Sequence, residues 1–169
     1  ESPRYDFSMK VAARKGLLNA DKEELIFAGY NDISWGRTQA ARKKEAEALA
    51  LSRPEDKEMK IFAADLLLAE NKPDEALAKF EEVRAAGQPD QPFPGMNGLA
   101  AAHLRRGDWE QANEGYREIA TGPGYLAQEK FEALPKMRTT SELINPSLRM
   151  ESRFLTEAEG DVARLQGVW

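Results

Sequence analysis

Cysteine is absent from the 169 residues, which excludes disulfides, zinc–thiolate centres and cysteine nucleophiles. Histidine occurs once, as His103. A metal site or a catalytic relay draws on several such groups held together, so a solitary histidine reads as a packed interior residue. No uninterrupted apolar run approaches the roughly 18 residues that span a bilayer. The longest comparable stretch, Ile61 to Ala69, is broken by Asp65. Phosphate-loop, HExxH, calcium-loop and dinucleotide fingerprints are also missing. These absences lead us to expect a non-catalytic chain with no cofactor, no bound metal and no integral membrane segment.

What is present is charge, well mixed. Charged residues make up 31% and hydrophobic residues 41%, the balance of a globular chain with a solvated surface. The net charge is −5 and unevenly spread: residues 1–60 carry 12 Lys+Arg against 11 Asp+Glu, while residues 61–130 carry 7 against 12. An acidic middle argues against nucleic acid as a partner, because a grip on phosphate backbones needs clustered positive charge. The one basic run, Arg42-Lys43-Lys44, is followed by Glu45 and Glu47 and reads as a solvated helix face with local pairing. The chain opens at Glu1 rather than Met. That start carries the expectation of a removed leading segment, and slightly favours an extracytoplasmic location.

The chain's most informative feature is a recurring punctuation. Ala41, Ala76 and Ala112 each lie five residues after a turn-forming residue (Gly36, Asn71, Gly107) and twelve after another small one (Gly29, Ala64, Ala100). Small residues in fixed register at a period of 35 and 36 residues are the mark of stacked helical hairpins. Helical stretches fall accordingly. Asp21 to Glu24 makes an acidic first turn, followed by the apolar Leu25, Ile26, Ala28 and Ile33. A second helix, about 37–51, ends at Arg53-Pro54. The next pair covers about 55–70 and from Pro73 to Gly87, with Pro73 in the first turn where its missing N–H costs nothing. Three prolines in residues 88–95 forbid helix there. The third pair carries Met96, Leu99, Ala100, His103 and Leu104 before the turn Arg106-Gly107-Asp108, then a helix of about 108–120 closed by Thr121-Gly122-Pro123-Gly124. Flanking helices are expected at about 8–18 and 151–166. Leu126–Leu134 reads as helical, and Pro135 to Met150 as irregular, given Asn145-Pro146 and the Thr139-Thr140-Ser141 run.

With Leu99-Ala100, Gly107-Asp108-Trp109, Ala112 and Tyr116 in one unit, and Ala63-Ala64, Leu67, Ala76 and Phe80 in another, the chain resembles the tetratricopeptide repeat family. The unit around Ala28-Gly29, Gly36, Ala41 and Ala48 departs from the pattern, with Glu45 where an aromatic belongs. The resemblance implies an all-α, right-handed α-solenoid of three hairpins (21–54, 55–90, 91–122), flanked by an N-terminal cap helix (1–20) and a C-terminal capping segment (123–169). An uncovered solenoid end would leave apolar surface in water, so the flanks are expected to cover the stack.

The same resemblance implies a concave, partner-binding groove lined by the first helix of each hairpin. Its positions would be Ile26, Tyr30, Ile33 and Ser34; Ile61, Asp65, Leu68 and Ala69; and Asn97, Ala101, Leu104 and Arg105. Some members of that family clamp a terminal carboxylate with Lys, Asn and Arg at such places. Here the positions are mostly apolar, which argues against that mode and for an amphipathic helix or extended apolar segment. Glu110, Glu114 and Glu118 share one helix face and read as solvated, and Trp35 and Trp109 as packing between hairpins. The expected function is a protein–protein interaction module, an adaptor or assembly subunit of a larger complex. The alternative is a small-molecule or lipid carrier with an enclosed helical pocket. A catalytic reading would require Asp65 or Glu70 to converge with other groups in a cleft with shifted pKa values.

Overall fold

Three turns organise the chain, and all three are built alike. A computed structural model describes residues 20–148. In it Gly36, Asn71 and Gly107 take the left-handed backbone conformation, with φ of 72°, 60° and 83°. The turn residue's N–H donates to the carbonyl three residues back (Ile33, Leu68, Leu104), and the next N–H to the carbonyl five back (Asp32, Leu67, His103). This paired arrangement satisfies carbonyls that a helix end would otherwise leave bare. Glycine reaches positive φ without strain; Asn71 tolerates it because a short polar side chain can.

Seven α-helices result among the described residues: α1 (Ala20–Ser34), α2 (Thr38–Ala50), α3 (Lys57–Ala69), α4 (Pro73–Ala86), α5 (Met96–Arg106), α6 (Trp109–Thr121) and α7 (Ala127–Ile144). The three turns pair α1 with α2, α3 with α4 and α5 with α6. Each pair meets the next through α2–α3 and α4–α5, and α7 packs on α6. The first helices also touch along one side, α1 to α3 and α3 to α5. The fold is therefore all-α, with helices in successive contacting pairs. Local chemistry supports the starts: Asp56 accepts from the Met59 N–H at 3.0 Å to cap α3, Pro73 opens α4, and Glu129 accepts from the Leu126 N–H at 2.8 Å at the head of α7.

The small residues of the period sit where helices approach. Ala41, Ala64, Ala76, Ala100 and Ala112 are fully buried. The main core runs from α3 to α7 through Leu67, Leu77, Phe80, Val83, Met96, Leu99, Ile119 and Ala133. A smaller cluster of Ile26, Ala48, Met59 and Phe62 joins the first pair to α3, and a third joins Ala100, Ala112 and Tyr116. From the proline-rich connection Phe93 turns inward, 8% exposed, its N–H donating to the Tyr125 hydroxyl at 3.1 Å.

Two expectations need correction. Residues 135–144 are helical, not irregular: α7 runs through Pro135 to Ile144. Proline removes one backbone bond, but tertiary contacts outweigh that loss. Ala133 and Thr140 are buried, and the Asn113 side-chain amide on α6 donates to the Met137 carbonyl at 3.0 Å and to Thr140 Oγ1 at 2.9 Å. Trp35 does not pack between hairpins either, while Trp109 is partly covered. Trp35 is 72% exposed and Trp109 39%, because each lies at the rim of a turn, where the chain leaves the stack. The helices expected at about 8–18 and 151–166 lie outside the described residues.

Candidate functional site

The side of the stack where α1 touches α3 and α3 touches α5 carries several of the positions expected for a groove. Its centre is Asp65. The Tyr30 hydroxyl on α1 donates to Asp65 Oδ2 at 2.5 Å, across 35 residues of sequence. On the other side Asp65 lies against α5 at Gly98: a Cβ there would fall 2.7 Å from Asp65 Oδ1 and collide with the Phe80 ring. Glycine at 98 is thus what lets α5 approach a carboxyl group and an aromatic ring at once.

Burial pushes the Asp65 carboxyl up to about 6, and the Tyr30 hydrogen bond offsets only part of that. Burial, with Asp65 beside it, also raises the Tyr30 hydroxyl far above its usual range. Two turns or more toward the start of α3 a second polar group bridges the same two helices. Lys22 on α1 donates to Asp56 at 2.6 Å and stands 3.5 Å from Glu23 and 3.8 Å from Glu58. Burial and then the hydrogen bond to Glu23 push Glu58 up to about 7. Burial disfavours ionised Asp56, yet Lys22 and the Met59 N–H hold it below the ordinary carboxylate value.

The remaining positions divide. Arg105 crosses from α5 to the Leu68 carbonyl at 2.5 Å, and Lys136 of α7 donates to Asn97 at 2.9 Å. Ile61, Ala101 and Leu104 are half-buried on this side. Ile26 and Leu68 are interior, at 4% and 8% exposure, and serve the core rather than an open surface. Ile33 and Tyr30 pack against the cluster around Phe62, the Tyr30 and Phe62 ring centres being 5.0 Å apart. Ser34 is exposed and donates to the Asn31 carbonyl, while Ala69 is half-buried.

Beside this face, where the proline-rich connection meets α3 and α5, lies an open cleft of about 630 Å³, lined by Lys57, Ile61, Arg84, Phe93, Leu99 and His103 among others. Sequence reading did not anticipate it, because its floor is made by a connection rather than by a periodic helix. The run of prolines around Phe93 was the available signal. His103 is half-buried and lies 3.2 Å from Asp108, the residue after its own turn.

Asp65 and Glu70 face different neighbours. Glu70 is paired with Arg42 on α2, whereas Asp65 faces Tyr30 on α1. Among the described residues no cluster of three or more His, Cys, Asp or Glu side chains is arranged to hold a metal, and no helix is long and apolar enough to cross a membrane. Comparison with protein-family models, curated proteins and solved structures found no match to this chain.

Proposed function

We propose that this chain is a non-catalytic interaction module of the tetratricopeptide type, a right-handed superhelix that binds a protein segment along the inner face of α1, α3 and α5. The observation that carries the reading is the alignment of first helices, with half-buried apolar positions (Ile61, Ala101, Leu104) interleaved with Asp65, Asn97 and Arg105. Apolar patches set among a few directional polar groups suit a peptide segment: the patches supply affinity and the polar groups fix its register. In this reading the chain serves as an adaptor or assembly subunit within a larger complex.

The test is quantitative capture of partners from the native organism by the wild type and by Ala101→Glu and Arg105→Ala. A partner held by the wild type and lost with Ala101→Glu, at unchanged melting temperature, supports the groove. Equal capture by both variants sinks it.

The cleft beside Phe93 favours a second reading, the binding of a small amphiphile among Ile61, Phe93 and Leu99, with Lys57, Glu81 and the Arg84–Glu118 ion pair also lining the cleft. A panel of single-chain amphiphiles decides this. A ligand that raises the melting temperature with no protein partner present, and ceases to do so in Phe93→Ala, favours the carrier.

A further inference from the structure

The contacts between α1 and α3 are unlike those elsewhere in the stack. Two carboxyl groups of α3, Glu58 and Asp65, face α1 across this seam and meet there groups that do not neutralise both. Asp65 receives the Tyr30 hydroxyl and, among the described residues, no ion pair; across from it on α5 is the Gly98 backbone, against which the Phe80 ring of α4 also packs, and neither is titratable. Glu58 faces Glu23 as well as Lys22, and Lys22 is engaged more closely by Asp56. The other ion pairs of the first hairpin lie away from these two groups: Arg42 of α2 reaches Glu45 and Glu70, and Lys44 and Arg37 hold Asp32. Apart from these polar contacts, the hairpin meets α3 through the small cluster of Ile26, Ala48, Met59 and Phe62.

We propose that the α1–α3 seam is a proton-operated clasp, closed while Glu58 and Asp65 carry protons and loosened as both ionise, so that the first hairpin opens from the rest of the stack. The clasp goes beyond the binding function proposed above, and its test needs no partner.

The sign follows from linkage. A group that binds its proton more tightly in the closed form than in the open form favours closure at low pH, and that preference is lost as pH rises through the closed-form value. Ordinary carboxyl values lie near 4, and the closed-form values here are about 6 for Asp65 and about 7 for Glu58. The window is therefore about pH 4 to 8. Opening lets water reach Asp65 and separates Glu58, whose side chain is already 49% exposed, from Glu23. Lys22 pulls the other way, toward ionised Glu58, but shares its charge with Asp56 and Glu23.

Amide hydrogen exchange of the full chain, corrected for the intrinsic pH dependence of exchange, tests the clasp. Protection in α1 and α2 should fall about tenfold or more between pH 5 and pH 8, while α6 and α7 hold steady. Asp65→Asn and Glu58→Gln should each remove part of that fall. Tyr30→Phe, which takes away the donor that favours ionised Asp65, should move the midpoint to higher pH. Flat protection in the wild type, or a parallel fall in α6 and α7, overturns the clasp. So does an undiminished pH dependence in both carboxyl variants. The wild-type profile is decisive without the variants, so a substitution that failed to fold would not rescue the idea.

Discussion

Four residues after the buried alanine of each hairpin comes Glu45 in the first, Phe80 in the second and Tyr116 in the third. Phe80 and Tyr116 are interior, at 0% and 2% exposure, and each gathers core residues from both sides. Glu45 is half-buried and instead receives Arg42, which also reaches Glu70 just past the end of α3. The first hairpin therefore joins the stack through a modest apolar cluster reinforced by charge and hydrogen bonds, whereas the second and third share one continuous core. Apolar burial is nearly independent of pH and salt, while ion pairs and half-buried carboxyls depend on both. One architecture thus joins its units in two ways, and the polar joint is the one that can respond to conditions.

The contrast can be broken most directly at the equivalent positions. Phe80→Ala should cost about 3–5 kcal/mol by urea unfolding, the range for a fully buried aromatic. Glu45→Ala should cost no more than about 1 kcal/mol, as expected of a partly solvated pair. Equal effects at the two sites would erase the distinction. Close approach offers a second, smaller comparison. A Cβ on Gly98 meets Phe80 and Asp65, and one on Gly29 meets Phe62. Gly98→Ala and Gly29→Ala should each destabilise by about 1–3 kcal/mol through overpacking. The Gly29 effect should appear as lost exchange protection confined to α1 and α2, and that of Gly98 as a shift of the whole unfolding transition. The turns sharpen the comparison least. Asn71→Gly should be stabilising by up to about 1 kcal/mol and Gly107→Ala destabilising by about as much, because both residues sit at positive φ. Thermal melts would read both.

Much of the fold was legible because its signals are local. The turn residues Gly36, Asn71 and Gly107, the Pro73 start and the halt at Gly87 are backbone chemistry, set within a few residues. The buried alanines were legible as a period. Pro135 misled because its local penalty is real; only contact with Asn113 and the core shows why α7 continues past it. Trp35 misled because a large aromatic beside a turn has no local signal of whether a neighbour will reach it. Of the positions the resemblance implies for a groove, Tyr30, Ala101 and Asp65 are half-buried and Arg105 is exposed. The repeat register could not separate them from Ile26 and Leu68, which share it but lie deeper, since depth depends on how far the next helix tilts across.

The sequence by itself determined where the paired helices α1 to α6 begin and end, which residues are small enough to let helices meet, and that hairpins recur at a near-constant interval. Those properties follow from backbone conformation and side-chain volume, which each residue carries wherever it lies. Tertiary structure alone decided that Tyr30 would meet Asp65 and that Glu58 would face Glu23, pairings separated by 35 residues in each case. It decided also that Gly98 would seat α5 against a carboxyl group. A charge's environment is made by whatever packs around it, so the proton affinities of this seam exist only once the hairpins are stacked.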